Sequence, residues 1–182
     1  MMLPAGTPRF GPDNASLQVR TYREGVAAKA GHDLIIDVTR WEATVEVADE
    51  PGGWTIELGA DPRSLEVREG LRGVKPLTDK DRADIQARID KRVLRGQPIR
   101  FRSSTVRSGD GRLEVDGELT LAGTTRPLSV RLEIDGDGNA GATVVLRQSD
   151  WGIKPYSGML GALKVRDEVE VRLTARLPRV VA

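Results

Sequence analysis

Residues 113–134 read LEVDGELTLAGTTRPLSVRLEI, and this stretch decides the fold. Apolar residues alternate with polar ones on both sides of a central turn, at Leu113, Val115, Leu119 and Leu121 before it and at Leu128, Val130, Leu132 and Ile134 after it. Because successive side chains of a strand point to opposite faces of the sheet, this period of two predicts two strands with one buried face each. The Ala122–Thr125 stretch between them predicts a turn, so the two strands should form an antiparallel hairpin.

The same alternation recurs along most of the chain. It is found at Trp41–Val47, at Trp54–Leu58 and, in its longest form, at Val165–Leu177. Between Leu34 and Trp41 the apolar positions change from even to odd numbers, which requires a β-bulge or a change of face and suits a strongly bent strand. About nine or ten short antiparallel strands joined by glycine-rich turns are typical of a sandwich or an up-and-down barrel. The long, evenly alternating strands favour the barrel.

One segment departs from the β pattern. Thr78–Arg95 carries Ile85, Ile89 and Val93 at helical spacing, and its first residue is a favourable N-cap. The apolar stripe is narrow, so we expect a helix on the surface with one edge on the barrel. The sequence therefore predicts an all-β fold, an antiparallel up-and-down β-barrel with one inserted α-helix, in a single domain spanning residues 1–182.

The N-terminal residues carry no periodic pattern. Residues 1–14 contain three prolines, and we expect them to be loosely ordered. The basic start and following apolar run of a secretory signal are missing, and no stretch approaches the roughly 20 apolar residues that span a bilayer. These features predict a cytoplasmic location.

Composition argues against several classes of function. The formal net charge is only +1, so the chain has no positive electrostatic field that would attract nucleic acid. Aromatic residues make up 4% of the chain, too few to form a surface on which bases stack. The chain has no cysteine, which excludes disulfides and thiolate chemistry. A local basic excess remains between Arg63 and Arg102. It could attract an anionic membrane, whereas the interspersed charges favour a solvated helix with ion pairs.

His32 is the only histidine, and Asp33 follows it directly. Adjacent residues on a strand point to opposite faces, so Asp33 is poorly placed to orient His32 as a catalytic base. A position in a turn or at a pocket rim is the better interpretation. One histidine without cysteine would leave only carboxylates as further metal ligands, and no phosphate-binding motif is present. We therefore predict no catalytic residue, no metal site and no cofactor.

The barrel interior is the remaining candidate site. Small inward-facing residues such as Ala43 and Ala175 fill a wide barrel poorly, which favours a cavity, although a barrel of this size can also be filled by its own side chains. The 151–164 loop is unusually apolar for a connection. It could form a lid over the barrel mouth or a homodimer contact.

Four stretches of the second half carry recognisable motifs, and a fifth fits more loosely. Ile99–Thr105 reads IRFRSST, Val115–Leu128 reads VDGELTLAGTTRPL, Arg147–Ile153 reads RQSDWGI and Val165–Val171 reads VRDEVEV. They resemble, in that order, the I-x-F-x-S strand, the V-x-G-x-L-T-L-x-G-x-T-x-x-V hairpin, the R-S-D-F-G-I stretch and the V-G-D-E-V-x-I ending of the YceI-like family. Gly31–Leu34 is similar to the Gly-His segment of that family.

The resemblance implies a lipocalin-like barrel around an elongated apolar channel, with a polyisoprenoid or isoprenoid quinone as ligand. Many family members are periplasmic, and the 70–96 segment here is unlike the usual family sequence. On this basis we predict a non-catalytic carrier of an isoprenoid lipid that makes at most transient membrane contact. The predicted ligand-binding residues are Trp41, Phe101, Ser103, Trp151, Tyr156, Met159 and Leu160. The alternative is a structural or stress-related interaction protein with a filled barrel, acting through the 151–164 loop.

Overall fold

The computed structural model describes residues 6–47 and 53–177. Most of them lie in β-strands, and one α-helix interrupts the series, as the alternation predicted. The elements are β1 (Arg9–Phe10), β2 (Ala15–Thr21), β3 (Arg23–Glu24), β4 (Asp33–Val38), β5 (Trp41–Glu46), β6 (Thr55–Ala60), β7 (Leu65–Leu71), α1 (Asp79–Arg88), β8 (Ile99–Gly109), β9 (Arg112–Leu121), β10 (Thr124–Ile134), β11 (Asn139–Arg147), β12 (Ser157–Gly158), β13 (Leu163–Val165) and β14 (Glu168–Arg176).

Eleven of these strands form one curled antiparallel sheet. Its order is β1-β5-β6-β8-β9-β10-β11-β14-β2-β4-β7, and the short strands β12, β13 and β3 form a second, three-stranded sheet beside one end of it. The hairpin on which the sequence argument rests is β9–β10, with Leu121 paired to Thr124 across the turn. This architecture confirms the antiparallel, lipocalin-like barrel with one inserted helix.

The sheet closes into a ring because two of its strands bend together. β4 continues into β5 and β6 continues into β7, so that the two halves form one long bent hairpin. At the bend, the Thr39 N–H donates to the Ser64 carbonyl (2.8 Å) and the Asp61 N–H donates to the Arg40 carbonyl (3.0 Å). The first half of the hairpin pairs with β2 and the second half with β8.

Counting each bent strand once, and setting aside the two-residue β1, eight strands complete the ring. The bend also explains the change from even to odd apolar positions. Ile36 and Val38 face the interior before the bend, and Trp41 and Ala43 face it afterwards. The two residues at the bend, Thr39 and Arg40, absorb the shift that the sequence predicted.

Strand β8 contains a bulge that positions an aromatic ring. Its register against β9 shifts between Ser103 and Thr105. The Ser103 Oγ accepts a hydrogen bond from the Ile56 N–H (2.8 Å), so the hydroxyl takes the place of a strand-pairing acceptor. Beside the bulge, the ring of Phe101 lies against the Cα of Gly117, where any Cβ would overlap the ring and the Arg102 carbonyl oxygen.

The predicted helix is present, and its start matches the sequence interpretation. Thr78 caps α1 in a capping box, with its Oγ1 accepting from the Asp81 N–H (3.1 Å). A π-helical turn, Ile89–Val93, continues the helix. Its narrow apolar edge contacts the barrel, as expected, because Ile85, Ile89 and Val93 point into the interior. The structure adds the location of the helix, which lies across the open end of the barrel.

The N-terminal segment is better held than the sequence predicted. Residues 1–5 lie outside the described residues, but β1 pairs with β5 through Arg9 opposite Thr44 and Phe10 opposite Ala43. Phe10 is buried in the core of the barrel. The expectation of loose order is therefore wrong for residues 9 and 10, because a buried aromatic side chain and strand pairing tie them down. Within the described ranges, no helix is both long and apolar enough to cross a membrane.

We predict that Gly117→Ala destabilises the fold by about 2 kcal/mol or more, because the added Cβ would collide with backbone that cannot move without breaking the β8–β9 pairing. Gly59→Ala is the matched control, since Gly59 also lies in a strand and has open space where its Cβ would be. Its stability should stay within about 1 kcal/mol of the wild type. Urea unfolding of the three proteins measures the difference, and equal effects at the two positions would contradict this account of Gly117.

The bend should make stability depend on acid pH. The Arg63 side chain and backbone N–H, with further help from Arg40, lower the pKa of Asp61 from its ordinary 3.8 to about 2. A pKa lowered by folding stabilises the folded state above pH 3.8, and the contribution is lost as the pH falls through about 2. Asp61→Asn, which keeps a good capping residue, should be less stable than the wild type at neutral pH and converge with it near pH 2.

The measurement is urea unfolding at several pH values. Asp110→Asn, in a turn at the far end of the barrel, serves as the charge-matched control and should show no such convergence. A stability difference between wild type and Asp61→Asn that stays constant across the acid range would show that the carboxylate charge does not stabilise the bend.

Candidate ligand-binding site

The barrel encloses a cavity of about 760 Å³. This volume lies in the range typical of sites that hold a small molecule, roughly 300–1,000 Å³. The cavity is lined by inward-facing residues of every strand in the ring. On β9, for example, these are Leu113, Val115, Leu119 and Leu121, the residues of the alternation that decided the fold.

The cavity has a closed end and an open end, here called the base and the mouth. The base is where β9 begins and β10 ends, and its lining residues are apolar: Phe10, Val45, Leu113, Leu132, Ala140, Ala175 and Leu177. Phe10, Val45, Leu113 and Ala140 are buried, so these side chains cover the base. Along the walls the lining continues with leucine, valine, isoleucine and alanine, which gives an elongated apolar chamber.

Polar groups of the lining gather at the mouth. They are Thr21, Arg23, His32, Lys75, Asp81, Asp84, Arg88, Gln148, Tyr156 and Lys164. These residues come from the end of β2, helix α1 and the loops around residues 22–32, 72–78 and 148–167. The sheet thus supplies the apolar chamber, and the connections at one end supply the groups that can contact a polar head.

His32 holds one of these connections in place. Its Nε2 lies 2.6 Å from the Lys75 carbonyl oxygen, and because a carbonyl only accepts, Nε2 carries the proton in this bond. Gly73 packs so closely on the imidazole that a Cβ there would overlap the ring. Asp33 faces the other way, accepting from the Arg23 N–H (2.8 Å) and pairing with Arg72. His32 is therefore a rim residue that Asp33 does not orient.

The acidic side chains of the mouth already have partners. The Asp81 carboxylate accepts hydrogen bonds from the Thr78 N–H (2.9 Å) and from the Thr78 hydroxyl. These two hydrogen bonds hold the pKa of Asp81 below its usual range. Asp84 pairs with Lys80 one helical turn away (3.7 Å). Both carboxylates are therefore held by groups of their own helix, and they face four basic side chains of the lining, Arg23, Lys75, Arg88 and Lys164.

The basic side chains of the mouth form fewer ion pairs than its acidic side chains do. Within residues 6–47 and 53–177, neither Lys75 nor Lys164 has a carboxylate partner. The Arg88 guanidinium stacks on the Tyr156 ring, 4.7 Å from its centroid, and joins the helix to the 151–164 loop. The mouth is therefore positively charged and accessible, above an apolar chamber.

Four of the seven predicted site residues line the cavity. Trp41, Phe101 and Trp151 lie on its walls, and Tyr156 lies at the mouth. The Trp151 indole N–H donates to the Leu119 carbonyl (2.9 Å), which fixes the ring against the wall. Whether these residues contact a ligand stays a prediction.

The other three predicted residues do not line the cavity. The Ser103 hydroxyl is engaged by the Ile56 N–H at the bulge, as described above. Met159 and Leu160 project outward from the 151–164 loop and are exposed. The prediction treated this loop as one apolar unit. In the structure only part of it turns inward, since Trp151 and Ile153 are buried and Leu163 lines the cavity.

Sequence reasoning missed the charged residues of the mouth. Lys75, Arg88 and Lys164 belong to no motif, and the Arg63–Arg102 basic excess favoured a solvated helix with ion pairs over attraction to an anionic membrane. The 70–96 segment could have indicated the mouth. It departs from the usual family sequence, and it is the segment in which the helix crosses the mouth. No group of three or more potential metal ligands occurs among the residues that the structure describes.

Comparison with known proteins places this barrel among related folds. A family model described as a YceI-like domain matches residues 26–177. The structure is similar to that of Burkholderia cenocepacia BcnA, with a TM-score of 0.63 and 13% identity over 88% of this chain and 94% of that one. It is also similar to a mutant Campylobacter jejuni YCEI protein, with a TM-score of 0.52 and 11% identity over 77% and 82% of the two chains. No curated protein matches the sequence significantly.

Proposed function

Because the chain belongs to the YceI-like family, we propose that its barrel binds and carries a long apolar molecule, a polyisoprenoid or an isoprenoid quinone. The observation that carries this proposal is the apolar cavity of about 760 Å³ that runs from the base to the mouth. Burial of apolar surface is favourable by about 25 cal/mol per Å², so a prenyl chain in this chamber would be held by burial alone.

The distribution of polar groups supports one orientation of the ligand. The base offers only apolar side chains, whereas the mouth offers Lys75, Lys164, Gln148 and the Tyr156 hydroxyl. A tail at the base and a head group at the mouth leaves every polar atom of the ligand near water or a hydrogen-bonding partner. The reverse orientation would bury the head group among leucines without partners.

Binding without bond chemistry is the role that the site supports. His32, the one histidine of the chain, is committed to the Lys75 carbonyl, and its neighbour Asp33 faces away from the cavity. His32 is therefore not oriented by Asp33 as a base toward the apolar chamber. We propose that the protein acts as a carrier and not as an enzyme.

The second candidate is an interaction protein that acts through the 151–164 loop. The exposed side chains of Met159 and Leu160 favour it. Its premise was a barrel filled by side chains, however, and the cavity removes that premise. The homodimer and the cytoplasmic location stay predictions.

A plug in the cavity gives a direct test of the carrier role. Ala142 faces the cavity from β11, and its neighbour Thr143 faces solvent. Ala142→Trp should reduce the affinity for a long prenol or ubiquinone by about tenfold or more, because the indole occupies the chamber. Thr143→Trp, the same residue one position along the strand, should bind as the wild type does.

Native mass spectrometry of the protein incubated with each lipid measures the bound fraction. The carrier role predicts one lipid per chain for the wild type and for Thr143→Trp, and loss of the adduct for Ala142→Trp. Failure of the wild type to take up any prenyl lipid, or equal binding by both variants, would contradict a ligand inside the barrel.

A further inference from the structure

Among residues 6–47 and 53–177, the four most exposed large apolar side chains surround the mouth. Val26, Val74, Met159 and Leu160 are all at least three-fifths exposed, at 96%, 75%, 61% and 110%. They lie on three loops, here called the rim, which comprises residues 22–32, 71–78 and 152–166. Each loop also contributes cavity-lining residues, such as His32, Lys75 and Tyr156. The exposed side chains therefore border the opening through which a ligand must pass.

The rim holds these side chains outward at an energetic cost. Met159 and Leu160 have φ angles of +50° and +55°, a left-handed conformation that is uncommon for residues with a Cβ. Leu160 is fully exposed in this conformation. Neither the backbone strain nor the exposed leucine stabilises the chain in water, so the loop is suited to a setting where Leu160 is covered.

Two of the rim loops are joined into one platform. The Ala27 N–H donates to the Ala162 carbonyl (2.9 Å), and the Arg166 N–H donates to the Tyr22 carbonyl (2.8 Å). Strands β12, β13 and β3 pair across the same region. Val26 and Leu160 therefore project from connected segments, and they can meet one surface together.

The rim loops are basic although the whole chain is nearly neutral. The carboxylates beside them have partners: Asp33 pairs with Arg72 of the rim, and Asp81 and Asp84 contact Thr78 and Lys80 at the start of α1. The three rim segments contain seven Lys and Arg residues and one acidic residue, Glu24, whereas the formal net charge of the protein is +1. The basic residues are Arg23, Lys29, Arg72, Lys75, Lys154, Lys164 and Arg166. At the base, the turns instead carry Asp110, Asp135 and Asp137. The charge distribution would turn the mouth toward a negative surface.

We propose that the rim docks the mouth of the barrel on an anionic lipid bilayer, with Val26, Met159 and Leu160 entering the interface and the basic side chains contacting lipid phosphates. Apolar tips surrounded by Lys and Arg are the combination that binds such interfaces. This inference rests on the carrier role proposed above, and it names the membrane surface as the place where the ligand enters and leaves the barrel. The lipid would pass between bilayer and cavity without crossing water.

Charge also decides between a membrane and a second copy of the chain. Two rims brought face to face would place two sets of basic residues together with one glutamate each, which is repulsive. An anionic bilayer supplies the opposite charge and an apolar layer at the depth that short side chains can reach.

The test is flotation of the full chain with vesicles that contain no prenyl lipid. Vesicles of roughly one-third phosphatidylglycerol in phosphatidylcholine should bind the wild type, and pure phosphatidylcholine vesicles should bind it about tenfold more weakly. The combined change Met159→Ser and Leu160→Ser should weaken binding to the anionic vesicles by about tenfold. Val145→Ser is the control for loss of an exposed apolar side chain, because Val145 is about as exposed as Met159 (59% against 61%) but lies on the outer wall of the barrel.

Ligand uptake in solution separates this proposal from the carrier role. The double variant should still take up a prenol, because neither residue lines the cavity. Docking is contradicted if the wild type binds neither kind of vesicle, or if Val145→Ser weakens binding as much as the double variant does. A wild-type dimer that the double variant dissociates, without vesicle binding, would assign the rim to contact between copies and would also overturn the proposal.

Discussion

The closure of the ring at residues 39–40 and 61–64 is the constraint on which the rest of the structure depends. A sheet edge left open would expose unpaired N–H and C=O groups and would let water into the interior. The shared bend lets the β4–β7 half pair with β2 and the β5–β6 half pair with β8, and Arg82 of α1 donates to the Val67 and Arg68 carbonyls on the remaining edge of β7. Ser64, fully buried at the bend, donates its hydroxyl to the Asp61 carbonyl (2.8 Å) and so locks the turn that lets both strands change direction together.

The closure of the barrel also explains why the cavity stays open, although its lining side chains do not fill it. The diameter of the barrel is fixed by backbone hydrogen bonds around the ring, so the walls cannot move inward to meet one another. Leucine, valine and alanine side chains then leave the centre empty, and helix α1 narrows the open end. The closed barrel also separates two environments. The strands form an apolar chamber, and the loops at one end form a charged mouth. A carrier of a lipid with a polar head requires both.

The sequence predicted what depends on local periodicity and missed what depends on how distant segments meet. The β9–β10 hairpin, the parity change near Trp41 and the Thr78 cap all follow from spacing, and all are present. The position of α1 over the mouth is set by tertiary contacts that periodicity does not encode, such as those of Arg82 with the Val67 and Arg68 carbonyls and of Arg88 with the Tyr156 ring. For the same reason Ser103 was assigned to a ligand, although its hydroxyl is engaged across the sheet by β6, and Lys164 was overlooked.

The central claim is that a ligand tail runs down the barrel to its base. Paramagnetic relaxation in methyl NMR tests it most directly, using a long-chain lipid that carries a nitroxide at the end of its tail. The account predicts the strongest broadening for the Leu113, Leu132 and Leu177 methyl signals at the base, with weaker broadening of Val145 on the outer wall near the other end of β11. Broadening confined to Met159 and Leu160 on the outer loop, with the base signals unchanged, would contradict it.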